Sequence, residues 1–154
     1  MRKTQEGEKH YTASAWILTK TNPQKLLLIK HKKFNLWLQP GGHIEKFENP
    51  IEAVIRETFE ETGVDISFLS DEISQGHDGK FLPVPMFIME QPIPPHREEP
   101  PHFHIDFMYC VEADEKDIQP AAHESVEAGW FTREEVIKLH THQDTQMIVK
   151  KIMK

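Results

Sequence analysis

Cysteine is nearly absent: Cys110 stands alone among 154 residues. No internal disulfide can staple the fold, and a reducing compartment is expected. Long apolar runs are missing too. The longest fully apolar run, Leu26–Ile29, falls far short of the ~20 residues needed to span a bilayer. The first ten residues, Met1 to His10, are polar and lack the apolar stretch of a secretory leader. The expectation is therefore a cytoplasmic protein with no membrane partner. Basic charge is also scarce, with 18 Lys and Arg against 25 Asp and Glu and a net charge of −7. Binding a nucleic-acid duplex needs a basic face that displaces counterions, so a duplex is excluded as the main partner. A small phosphorylated ligand handled through metal ions is not. Apolar residues reach only 38%, beside 11 Pro and 10 His. That composition suits one folded domain over residues 1–154 with one irregular stretch.

Local patterns divide the chain. Tyr11–Thr19 and Lys25–His31 read as strands around a Thr21–Gln24 turn, and His31–Asn35 as a basic loop. Trp37–Gly42 leads into a glycine-rich turn. Asn49 is a good N-cap, Pro50 suits the first helical position, Glu52 completes a capping box, and Gly63 is a stop, which predicts a helix between them. Val64–Phe68 is expected to start another strand. Phe81–Met89, broken by Pro83 and Pro85, fits an edge strand or irregular chain. Residues 91–101, QPIPPHREEPP, read as a proline-rich surface loop. Strands are expected at His102–Val111 and Val126–Phe131. Thr132 and Glu135 form a second capping box before a helix to about His140, and Asp144–Met153 forms a terminal amphipathic helix.

The first helix carries the chemistry. Glu57, Glu60 and Glu61 stand at i, i+3 and i+4, which gathers three carboxylates on one face. Alone they repel, and a hard cation such as Mg²⁺ or Mn²⁺ removes that penalty because it prefers oxygen ligands. Ile51, Ile55, Phe59 and Thr62 are expected on the opposite, buried side. Arg56 beside the acids can grip a carboxylate with two parallel hydrogen bonds.

The spacing around these acids resembles the Nudix box of the MutT-like hydrolases, G-x5-E-x7-R-E-U-x-E-E-x-G-U, with U a bulky aliphatic. Gly42, Glu48, Arg56, Glu57, Glu60, Glu61, Gly63 and Val64 all fall on it. Seven fixed identities coincide by chance with odds of roughly 10⁻⁸ per register. Thr58 departs, standing where the family prefers an aliphatic, on the side of the helix turned inward. The resemblance implies an α/β fold, an α/β/α sandwich with a central mixed sheet, the box helix on one face and the C-terminal helices on the other. It implies a metal-dependent hydrolase acting on phosphoric anhydrides, with a nucleoside diphosphate linked to another moiety as substrate and Mg²⁺ or Mn²⁺ as cofactor. Glu57, Glu60 and Glu61 become metal ligands, Glu48 and the Gly42 backbone weaker ones, and Arg56 an orienting group. For the general base the resemblance offers Glu124, with Glu57 and Glu127 as alternatives. The competing reading is a nucleotide-binding sensor that keeps the fold without turnover.

Other residues carry weaker signals. His102, His104 and Asp106 share strand parity and line one face; with His96 they match the ligand types of a zinc site, but no cysteine pair accompanies them. His104, Asp106, Phe103 and Trp37 are candidate substrate contacts. Phe34 and Phe81 are further stacking candidates, and His31, Lys32 and Lys33 further phosphate contacts. A homodimer is a compatible assembly.

Overall fold

A computed structural model describes residues 3–121 and 127–154. Nine strands and three helices follow in the order β1 (Lys9–Leu18), β2 (Lys25–His31), β3 (Leu36–Leu38), β4 (Gly41–His43), α1 (Pro50–Thr62), a 3₁₀ turn (Ser67–Glu72), β5 (Ser74–Gln75), β6 (Lys80–Phe81), β7 (Phe87–Ile93), β8 (His102–Glu112), β9 (Glu127–Thr132), α2 (Arg133–Lys138) and α3 (Gln143–Ile152). Seven strands form one mixed sheet with the path β3-β2-β1-β8-β7; β4 joins β1, and β9 joins β2. Among the described residues, only the central β1–β8 pair in this sheet is parallel, running from Lys9↔Phe103 to Leu18↔Glu112.

Strand alternation splits the core in two. Ala13, Ala15, Ile17 and Leu27 face Ile51, Ala53 and Val54 of α1, together with Val64, Ile66 and Leu69. Trp16, Leu18, Leu26 and Leu28 face Val136 of α2 and Ile148 and Val149 of α3. Leu26 to Leu28 are wholly buried between these layers, each contributing about 1.5–3 kcal/mol from apolar burial. This is the expected sandwich, with the box helix on one face and the C-terminal helices on the other. No helix among the described residues is long and apolar enough to cross a membrane.

Helix α1 starts and stops where its caps predict. The Asn49 side chain accepts from the Glu52 N–H while the Glu52 carboxylate accepts from the Asn49 N–H. Gly63 closes it at φ 74°, its N–H donating to the Phe59 carbonyl at 2.8 Å. The second capping box, Thr132 with Glu135, is also in place.

Four expectations change. The buried face of α1 comprises Ile51, Ala53, Val54, Thr58, Glu61 and Thr62, while Phe59 is 56% exposed; the helix is turned so that a glutamate points inward. Residues 64–68 do not extend into a strand, because Asp65 accepts from the Ser67 N–H at 2.8 Å and turns the chain into the 3₁₀ segment. The glycine-rich approach is not a simple turn but two short strands, β3 and β4. Finally, β7 continues through Pro92 to Ile93, so the proline-rich loop begins later than expected. Pro92 is tolerated because β7 is the sheet edge, where a missing N–H breaks no second ladder.

Candidate active site

The box acids gather around one guanidinium. Arg56 Nε and Nη2 donate to Glu48 Oε2 and Oε1, both at 2.8 Å, a two-pronged bond. Its Nη1 donates to Glu57 Oε1 at 2.8 Å and Glu60 Oε2 at 3.3 Å. Nη2 also reaches the His43 carbonyl at 3.1 Å. Glu48 is presented by a tight turn in which the Glu45 N–H donates to its carboxylate and its own N–H returns to the Glu45 carbonyl. The Arg56 hydrogen bonds hold the Glu48 carboxyl below the usual glutamate range, and the same acids raise the arginine. Both groups are therefore locked in their charged forms at neutral pH.

Strand β4 roofs this cluster. Glu61 is buried and its Oε1 accepts from the Gly41 N–H at 2.8 Å. At Gly42 a Cβ would lie 2.4 Å from Glu57 Cδ. The lack of a side chain there leaves the Glu57 carboxylate against bare backbone. Glu48, Arg56, Glu57 and Glu60 are thus brought together directly, and Glu61 and Gly42 meet them through β4. Glu124 lies outside the described residues. Glu127 opens β9, exposed and 3.9 Å from Lys30 Nζ.

On the α2/α3 face, the sheet forms the floor of a groove of about 350 Å³. Its polar centre is Asp106, 7% exposed, which accepts from Thr12 Oγ1 at 3.0 Å, Ser14 Oγ at 2.7 Å and Gln39 Nε2 at 3.5 Å. Burial nevertheless pushes its carboxyl up. His104, His43 and Phe34 also line this groove. Of the remaining substrate candidates, Trp37 packs edge-on against Phe131 at 5.0 Å between ring centroids. Phe103 alternates to the other face of β8, under Lys9 Nζ at 4.4 Å. Neither lines the groove. Phe81 is exposed and does not line the groove, and Lys33 is engaged by Glu99.

Sequence reasoning missed Thr12, Ser14 and Gln39, whose hydroxyl and amide groups hold Asp106. It also missed His10 and His43. The alternation that grouped His102 with His104 and Asp106 carries no trace of His10, because that contact is set by the parallel pairing His10↔His104.

Comparison with known proteins places this arrangement. The family model described as NUDIX domain matches residues 9–150. The chain is 34% identical over 97 residues, 63% of its length and 52% of the relative's, to a Lactococcus lactis protein named "Probable DHNTP pyrophosphohydrolase". It is 30% identical over 106 residues, 64% of its length, to the human m7GpppN-mRNA hydrolase NUDT17, of which it covers 29%. The chain thus spans about half or less of these curated relatives. Among solved structures, a NUDIX-family hydrolase from Clostridium perfringens superposes with TM-score 0.73 at 28% identity, covering 92% of this chain and 94% of that one.

Proposed function

Because the chain belongs to the NUDIX domain family, we propose that it is a divalent-cation-dependent pyrophosphohydrolase. Its substrate is a nucleoside diphosphate linked to another moiety, a nucleoside triphosphate or a nucleotide derivative. The observation that carries this reading is the Arg56 cluster: Glu48, Glu57 and Glu60 on one guanidinium, with Glu61 tied to the Gly41 N–H beside them. Carboxylate oxygens are the donors a hard cation prefers, and the side-chain-free backbone at Gly42 lets the Glu57 carboxylate lie where a Cβ would otherwise crowd it. Glu57, Glu60 and Glu61 would hold Mg²⁺ or Mn²⁺, with Glu48 and the Gly42 backbone as outer contributors. Such an ion, when bound, neutralises diphosphate charge and makes a water more acidic.

The chain's own groups do the positioning. Arg56 keeps Glu48 ionised and points Glu57 and Glu60 in one direction, and α1 sets their spacing. The Gly41 N–H fixes the orientation of Glu61. We assign proton removal from the attacking water to Glu124, with Glu57 the alternative and Glu127 the competitor. Asp106 and His104, on the groove floor, are the substrate contacts best supported by position, and Phe34 offers a ring for stacking there. Trp37 and Phe103 support such contacts less, since one packs on Phe131 and the other faces away from the groove.

A panel of nucleoside triphosphates, nucleotide sugars and dinucleoside polyphosphates, each incubated with Mg²⁺ or Mn²⁺, tests the reading. Release of phosphate, pyrophosphate or a nucleoside monophosphate from at least one compound supports it. Binding without release across the panel would favour the non-hydrolytic sensor.

A further inference from the structure

Four histidines converge beside the groove, and two of them, His43 and His104, line it. His10 of β1 and His102 and His104 of β8 each bring a ring nitrogen within 4.8 Å of the other two. His43 of β4 stands beside them, its Nε2 3.3 Å from His10 Nδ1. Three unlinked segments supply these rings, so local sequence chemistry does not explain their meeting.

The spacing of the rings is close to that of imidazoles on one ion. A tetrahedral zinc site has Zn–N distances of about 2.0–2.1 Å, which sets imidazole centroids roughly 5.2 Å apart. The three centroid separations here are 4.7, 5.2 and 5.9 Å. Tautomers agree as well. His102 Nδ1 lies 2.9 Å from the Pro100 carbonyl, so it carries the proton, and Nε2 presents a lone pair. His104 Nε2 is buried with no hydrogen-bond partner, a state that costs about 1–3 kcal/mol unless something satisfies it. Glu8 Oε1, 3.7 Å from His10 Nε2, supplies negative charge beside the cluster, while Glu99 is neutralised by its pairing with Lys33.

We propose that His10, His102 and His104 form a second metal site for a borderline transition ion such as Zn²⁺, chemically distinct from the carboxylate cluster. Imidazole donors select late first-row ions, whereas Mg²⁺ prefers oxygen. Three protein ligands leave a fourth position, as in zinc centres that bind an exchangeable oxygen ligand. Because His104 lines the groove, an ion held by these rings would sit at the groove's margin. The two sites are separated by β4, with Gly42 facing Glu57 and the His43 ring facing His10 and His104.

The test is direct binding to the full chain freed of metal by chelation. Zn²⁺ is titrated calorimetrically in excess Mg²⁺, and Co²⁺ is followed through its tetrahedral visible absorption. One equivalent of Zn²⁺ should bind despite the Mg²⁺, and Co²⁺ should turn the protein blue. His102→Ala and His104→Ala should each weaken Zn²⁺ by more than the roughly 10–100-fold typical of losing an outer-shell partner. Glu60→Gln should leave Zn²⁺ affinity within about twofold. Imidazole nitrogen shifts in unaltered protein give a readout independent of whether the variants fold: His10, His102 and His104 should shift together on adding one equivalent. Absence of Zn²⁺ binding, or binding lost in Glu60→Gln but kept in the histidine variants, would overturn the proposal.

Discussion

Replacing Gly42 by alanine separates the chemistry of the cluster from the stability of the fold. Gly42 has no positive φ, so alanine is allowed there by the backbone. What its Cβ meets is the Glu57 carboxylate, with Cδ at 2.4 Å, Oε1 at 2.5 Å and Oε2 at 2.7 Å. Ordinary carbon contact begins near ~3.5 Å, so the carboxylate must retreat by about 1 Å. It lies at the end of a flexible side chain and can do so, at the expense of its 2.8 Å bond to Arg56. Lower unfolded-state entropy returns about 0.4–1 kcal/mol, so net stability should change by less than ~1 kcal/mol. Catalysis is less tolerant: a displacement near 1 Å costs on the order of 10²-fold, equivalent to about 2.7 kcal/mol of barrier. Gly41→Ala supplies the contrast. Its Cβ would strike the Ala13 carbonyl at 2.5 Å and Ser14 Cα at 2.7 Å, which belong to a central strand and cannot step aside. That overpacking should cost about 1–3 kcal/mol, lowering Tm by about 2–12 °C. Thermal melts, Mn²⁺ titrations and single-turnover hydrolysis on both variants decide the matter. If Gly42→Ala melts as early as Gly41→Ala yet binds Mn²⁺ and turns over normally, the space above Glu57 has no part in the reaction.

Three further outcomes follow from particular groups. Thr58 is fully buried and its Oγ1 lacks a partner, so Thr58→Val should raise stability by about 1 kcal/mol, a Tm gain of about 2–4 °C, with turnover unchanged. The Glu48 carboxyl is held below its ordinary value by Arg56, so its stabilising contribution is complete above the unfolded glutamate pKa of about 4.3. It is lost as pH falls through the lowered folded-state value; melts below about pH 5 should fall more steeply for the natural protein than for Arg56→Met. Glu124→Gln should lower turnover at least tenfold, in the range of general-base catalysis, while Mn²⁺ affinity stays nearly constant; unchanged turnover would move the base to Glu57 or Glu127.

Features governed by neighbours in sequence were legible, and features governed by distant pairing were not. Asn49, Pro50, Glu52 and Gly63 mark both ends of α1 because capping is decided within a few residues. The box spacing brought Arg56 and the acids together because one helix and one turn carry them. The buried stripe of α1 was read one position off, since Glu61 turns inward to meet the Gly41 N–H and masks the apolar pattern that would place Phe59 outside. Strands β3 and β4 are three residues each, and the pairing of Gly41 and Gly42 with Ser14 and Ala13 leaves no hydrophobic alternation to read. Asp106 could be placed on a face, but its hydrogen bonds from Thr12 and Ser14 depend on the β1–β8 register. The same register assembles the histidines.

If the Arg56-ordered carboxylates hold a divalent cation that supports cleavage of a phosphoric anhydride, the substrate panel run with natural protein and Glu60→Gln, each with Mg²⁺ and with chelator, will show it. Product should be released by the natural protein only when the cation is present, and that release should be lost in Glu60→Gln despite a retained fold. Turnover that persists in Glu60→Gln, or that proceeds equally in chelator, would contradict it.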